Sequence, residues 1–180
     1  MKKSGFTLVE LLITITIIAV LTTVGAVAYT SFFKNSRDSK RLSDLKLIQS
    51  ALETYYADQL YYPSSDSITP VPVPTPPGIA LTNATGTSIS PTNPKTYLSS
   101  VPTDPLISNT SYSYKAYKLA VDGRTFVECA NSDNASASTA KCVKYCLFVQ
   151  LENTTLTSDS GCTVLPAGFT APKAYGVTRP

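Results

Sequence analysis

The 180-residue chain contains no histidine and no tryptophan. Without histidine it lacks the commonest general base and metal ligand, which argues against most hydrolytic and metal-assisted chemistries. Charge is scarce as well: Asp, Glu, Lys and Arg make up 15 % of the residues, and none lies between Leu11 and Phe33. A net charge of +3 is too small to indicate a nucleic-acid partner, and beyond the N-terminus the basic residues gather only from Lys34 to Lys46. No Gly-rich phosphate loop, HExxH or Cys–His pair is present. The titratable cluster that stands out, Asp122, Arg124 and Glu128 around a hairpin, has the composition of a solvated turn. An enzyme is not expected, and neither cofactor nor metal is assigned.

What the chain does have is a long apolar run. The uncharged stretch from Leu11 to Phe33 is 23 residues long. As a helix it would measure roughly 35 Å at 1.5 Å per residue, enough to cross a hydrocarbon core of about 30 Å. Its Ile, Val and Thr lower intrinsic helix propensity, but in lipid the backbone has no other way to satisfy its hydrogen bonds. From Lys34 the chain turns polar without a helix breaker. Leu42, Leu45, Ile48, Leu52 and Tyr55 recur at spacings of three and four, one helical face, while Arg37, Lys40, Arg41, Asp44, Lys46, Gln49 and Glu53 occupy the others. With no proline before Pro63, one helix is predicted from about Phe6 to Leu60, near 80 Å long, ended by Tyr61, Tyr62 and Pro63.

Residues 62–111 read as a long connection, and Tyr62 to Pro105 carries ten of the thirteen prolines. That composition favours extended or irregular backbone, as in Pro70 to Pro74. An antiparallel sheet is predicted over 112–166. Tyr112 to Val121 and Arg124 to Cys129 flank an Asp122-Gly123 turn. Val143, Tyr145, Leu147, Val149 and Leu151 alternate with Lys144, Cys146, Phe148 and Gln150, so the odd positions should face the helix. A short strand near Thr163 to Leu165 and a tail over 167–180 complete the reading.

Cys129, Cys142, Cys146 and Cys162 are the only cysteines. An even count behind a membrane-directing N-terminus indicates disulfides in an oxidising compartment. A four-thiolate zinc site is the rival, but the C-x12-C-x3-C-x15-C spacing lacks close paired knuckles. Cys142 and Cys146 are expected to share a strand face, about 13 Å apart, too far to bridge. That leaves Cys129–Cys142 with Cys146–Cys162, the favoured pairing, or the crossed Cys129–Cys146 with Cys142–Cys162.

The first twelve residues, Met1-Lys2-Lys3-Ser4-Gly5-Phe6-Thr7-Leu8-Val9-Glu10-Leu11-Leu12, strongly resemble the class III leader of type IV prepilins and pseudopilins. Val101 to Pro105, Tyr112 to Tyr114 and Tyr145 to Glu152 are more loosely similar to segments of the major pseudopilins of type II secretion. The resemblance implies an α+β, type IV pilin-like fold: a long N-terminal helix whose hydrophobic half (6–33) protrudes and whose amphipathic half (34–61) packs on a small antiparallel sheet. It also implies removal of the leader (1–5) by a membrane-embedded prepilin peptidase between Gly5 and Phe6, N-methylation of Phe6, and assembly into a pilus or pseudopilus. The implied partners are other copies or other pilins, the peptidase, an inner-membrane assembly platform and, before assembly, membrane lipid. The implied route is a single-pass precursor, N-terminus cytoplasmic, that ends in a surface filament.

Two readings of Glu10 stand side by side. A lone carboxylate in an apolar bundle is costly unless paired, so Glu10 fits as partner to the Phe6 amine of a neighbouring subunit, fixing axial register. It is also placed to cap its own helix near Thr7. Three features depart from the family pattern: Val27 stands where many type IV pilins carry proline, the calcium-binding aspartate loop of many major pseudopilins has no clear counterpart, and the four cysteines are extra. The rival function is a secreted or simply anchored extracellular domain, released by signal peptidase at Ala26-Val27-Ala28. Against it stand the length of the apolar run and the charge of Glu10.

Overall fold

The computed structural model describes residues 5–64, 80–83, 94–106, 112–134, 141–159, 161–162, 164–166, 169–171 and 173–178. The leader residues Met1 to Ser4, the Pro70 to Pro74 stretch and most of the Asn131 to Thr139 loop lie outside them. A single helix, α1 (Leu8–Gln59), runs for 52 residues, about 78 Å at 1.5 Å per residue. Thr7 is its N-cap, and Leu60 closes it in a left-handed conformation with its N–H on the Tyr56 carbonyl. In the apolar half of α1 the described side chains from Phe6 to Phe33 are exposed. The second half is amphipathic as its spacing predicts, and Leu45, Ile48, Leu52 and Tyr55 are buried along one stripe.

That stripe packs on a four-stranded antiparallel sheet built from β3 (Tyr112–Leu119), β4 (Phe126–Glu128), β5 (Lys144–Gln150) and β6 (Ala174–Val177), in the order β4-β3-β5-β6. Alternation decides which side chains meet the helix. Tyr112, Tyr114 and Ala116 of β3 and Tyr145, Leu147 and Val149 of β5 join one core cluster with Leu45, Ile48, Leu52 and Tyr55. Tyrosine gives this core its bulk, and the hydroxyls reach polar partners, as buried tyrosines require. Tyr112 Oη donates to Asp44 at 2.9 Å, Tyr114 Oη to the Pro63 carbonyl at 2.8 Å, and Tyr62 and Tyr145 both donate to Glu53.

Several expectations are corrected. The 62–111 connection contains a second, two-stranded antiparallel sheet, β1 (Leu81–Thr82) with β2 (Thr96–Leu98), and Leu81, Tyr97 and Leu98 pack against the core. Residues 164–166 form no strand, and Thr163 lies outside the described residues. The last strand is instead β6, inside the segment read as a tail. It lacks a clean alternating signal because one neighbour edge supplies its order: Leu147 pairs with Val177 and Gln150 with Ala174. The hairpin turn is longer than two residues. Ala120 N–H reaches the Thr125 carbonyl, Gly123 adopts φ 65°, and the Asp122 carboxylate accepts from the Arg124 and Thr125 amides and the Thr125 hydroxyl.

Val143 does not face the helix. Its N–H donates to the Tyr117 carbonyl, although Tyr117 is already opposite Lys144, so the register slips by one residue at the start of β5. Such a slip exchanges the faces of the residues before it. Val143 therefore turns outward and Cys142 inward, into the helix-side core, while Cys146 belongs to a second cluster with Phe148 and Cys162 on the far face. Cys142 and Cys146 do not share a face.

Candidate processing and assembly segment

Gly5, Phe6 and Thr7 precede α1 without helical structure, and Thr7 is extended at φ −82°, ψ 150°. A Cβ placed on Gly5 would meet nothing within 4 Å, and the Phe6 side chain is exposed. The Gly5–Phe6 peptide bond thus lies on an exposed, non-helical stretch just ahead of the helix. Glu10 sits at the third helical position and closes a reciprocal capping box: its Oε2 accepts from the Thr7 N–H at 2.9 Å and the Thr7 hydroxyl at 2.7 Å, while its own N–H donates to Thr7 Oγ1 at 3.3 Å. In the single chain Glu10 is a cap. Both bonds fall on Oε2, and Oε1 has no partner among the described residues.

Beyond the cap the apolar half meets the demands of a lipid or protein bundle. Thr14 and Thr16 donate their hydroxyls to the carbonyls three residues back, and Thr22 and Thr23 to the carbonyls three and four back, so these polar groups are satisfied within the helix. By length and composition this helix is able to cross a membrane.

The other half of α1 is tied to the sheet by a charged cluster that the sequence reading left on the polar faces. Arg41 is fully buried. Its guanidinium forks onto Asp104 at 2.7 and 3.0 Å and also reaches Asp38 at 2.9 Å and Glu152 at 2.8 Å. Arg37 clasps the same Glu152 through two nitrogens at 2.7 and 2.5 Å. Asp38 accepts the successive backbone N–H groups of Glu152, Asn153 and Thr154, each at 2.8 or 2.9 Å. Burial pushes the Asp38 carboxyl up, but these three amides and Arg41 outweigh it and hold the group below the ordinary range. The Arg37 bond, aided by Arg41, likewise lowers Glu152. One signal was available: positions 38, 41, 45, 48, 52 and 55 are spaced by three and four, so the charged pair lies on the buried stripe itself.

The cysteines form two bridges, Cys129–Cys142 with Cα atoms 5.9 Å apart and Cys146–Cys162 with Cα atoms 5.6 Å apart. The first fastens the chain after β4 to the entry of β5, where Asn134 also bonds the Tyr62 carbonyl and the Cys142 amide. The second holds the segment after Ser158 over the far face of β5, beside Phe148, Leu165 and Phe169. The four sulfurs are thus paired on two different faces, which removes them as a tetrahedral zinc set. Asp122, Arg124 and Glu128 do not converge: Asp122 closes its own turn and Glu128 pairs with Lys115. No group of His, Cys, Asp and Glu suited to a metal occurs among the described residues.

Residues 1–26 match the family model described as the prokaryotic N-terminal methylation motif, the class III leader of type IV prepilins and pseudopilins. That family is structural rather than enzymatic. No curated protein and no solved structure matches the chain. A protruding apolar helix and a small antiparallel sheet give an α+β layout consistent with a pilin-like fold, and the motif at residues 1–26 supports a type IV pilin-like precursor.

Proposed function

We propose that the chain is the structural subunit of a type IV pilus or pseudopilus, made as a membrane-anchored precursor, cut between Gly5 and Phe6, methylated on Phe6 and polymerised through the apolar half of α1. The observation that carries this reading is the bare helix. The apolar surface of residues 8–33, most of it within the methylation motif, has no cover among the described residues, and both a bilayer and a bundle of like helices would cover it. Before cleavage Lys2 and Lys3 favour a cytoplasmic N-terminus. Cleavage creates an amine at Phe6, and Glu10 Oε1 is free to accept one from a neighbouring copy while Oε2 keeps the cap. Prepilin peptidase, an inner-membrane assembly platform and other pilin copies are the partners this route needs.

The test is the intact mass and N-terminus of the mature protein, with imaging of surface fibres in cells with and without the gene. A chain beginning at methylated Phe6 within gene-dependent fibres is expected. A mature start at Tyr29, or fibres unchanged without the gene, would overturn the reading. Glu10→Gln keeps one acceptor oxygen, enough for the cap, but replaces the second with a donor NH2 and removes the charge, so the variant should enter the membrane at parental levels yet assemble poorly. Abundant normal fibres from Glu10→Gln would remove the register role from Glu10.

A further inference from the structure

The molecule has two poles, and each presents apolar surface. Contacts between α1 and the sheet set their direction: Asp38 and Arg41 meet Glu152, Asp44 meets Tyr112, Glu53 meets Tyr145, and the Tyr62 amide meets the Cys142 carbonyl. As α1 advances from 38 towards its C-terminus, β5 therefore runs back from 152 to 142, and β3 runs with the helix. Tyr117 is opposite Lys144 at the far end of β5, so the β3–β4 hairpin overhangs the helix end, with Val121 about 13 Å beyond Tyr117 at 3.3 Å per residue. On this overhang Leu119 and Phe126 lie side by side, Val127 faces the other way, and Val121, at 108 % relative exposure, forms the tip. β4 is an edge strand exposed at all three residues.

At the opposite pole, where α1 leaves the sheet, Tyr29, Phe32 and Phe33 form an aromatic collar. Their rings touch each other edge-on, at 4.4 Å between Tyr29 and Phe33 and 5.8 Å between Phe32 and Phe33, and all three side chains are exposed. In a membrane-held precursor such rings suit the water–lipid boundary. In a filament that boundary is gone. Residues 8–28 are then covered by other helices, but the collar lies at the border of the folded domain, with Phe33 two residues before Asn35, which bonds Asn153, so the folded surface of a neighbour is within reach to cover it.

We infer, on the filament reading above, that the β3–β4 hairpin of one copy docks on the Tyr29–Phe33 collar of the next copy along the filament. The occupant is a second copy because the collar is continuous with the apolar half through which copies assemble. The contact is head to tail, from one pole to the other, so it repeats without closing, as a fibre requires. Leu119 and Phe126 on one face, Val127 on the other and Val121 at the tip make this pole apolar towards the next collar, and all four are exposed rather than in the core.

Cysteine pairing tests this directly. Val121→Cys is combined in turn with Tyr29→Cys, Phe32→Cys and Phe33→Cys; all four positions are exposed, so the fold is not at risk. Sheared fibres are treated with a mild thiol oxidant and run without reductant. At least one pair should give a ladder of linked subunits that each single variant lacks. Normal fibres without a ladder from any pair would overturn the docking and leave the filament reading standing, whereas a parental strain without gene-dependent fibres sinks both. Val121→Lys supplies a second readout: membrane-held subunit at the parental level, with about tenfold less fibre or more lost, since a buried valine weighs on every contact. Undiminished fibre from Val121→Lys would equally refute it.

Discussion

With its guanidinium held by Asp38, Asp104 and Glu152 at once, Arg41 joins three stretches of chain: the helix, the segment before β3 and the turn after β5. Removing it leaves carboxylates facing one another in a buried space. Arg41→Ala should destabilise the fold by about 3 to 5 kcal/mol, which thermal unfolding of the detergent-solubilised chain would show as a melting point lower by roughly 10 °C or more. A shift of a degree or two would mean that water enters and solvates the cluster. The same site sets a pH dependence. Asp38 and Glu152 are both held below their ordinary values. Groups with lowered folded values contribute stability above their unfolded values, about 3.9 for Asp and 4.3 for Glu, and lose it as pH falls through the folded ones. The melting point should therefore stay level from about pH 7 to 5 and drop below about pH 4. A melting point that rises on acidification would contradict the cluster as drawn.

Among the elements, β6 is the one whose place depends most on its surroundings. Gly176 lies against the Phe148 ring, and a Cβ there would come within 2.8 Å of two ring carbons and 3.1 Å of the Cys162 Cβ. The ring is buried between the sheet and the segment held by Cys146–Cys162, so it has little room to move aside. Gly176→Ala is expected to cost about 1 to 3 kcal/mol through overpacking. Chemical denaturation would show this as a lower midpoint with the slope unchanged, and an alanine variant as stable as the parent would show that Phe148 has a second rotamer available. The slip at Val143 has a similar local logic. By turning Cys142 inward it lets Cys129 reach it from the helix side, while Cys146 stays on the far face for Cys162. One extra residue at the start of β5 separates the two bridges.

For the whole molecule, the division at Phe33 separates two solvents. The described side chains of the apolar half of α1 are exposed, whereas the half beyond Lys34 carries the core stripe and the charged clamp. A chain beginning at Lys34 should consequently be soluble and monomeric, with both disulfides formed, and the parental chain should need detergent. Size-exclusion chromatography with non-reducing peptide mapping would check both points. A truncated domain that aggregates or scrambles its bridges would mean the apolar half is needed to fold.

The amino-acid sequence alone determined the helix, because a 3.6-residue period and a charge-free run are local properties that need no partner to be read. It also determined the leader, whose Gly5, Phe6 and Glu10 lie within six positions of one another, and the β3 strand, whose period-two pattern records which face is buried. The tertiary structure decided the rest. Arg41 reads as a surface cation until Asp104 and Glu152, 63 and 111 residues away, close on it. The strand at Ala174–Val177 exists because β5 offers a free edge, and an edge dictates pairing without demanding a pattern from the chain that fills it. Cys142 faces the core only because a register slip outweighs alternation, and a slip is invisible until the strand has a neighbour.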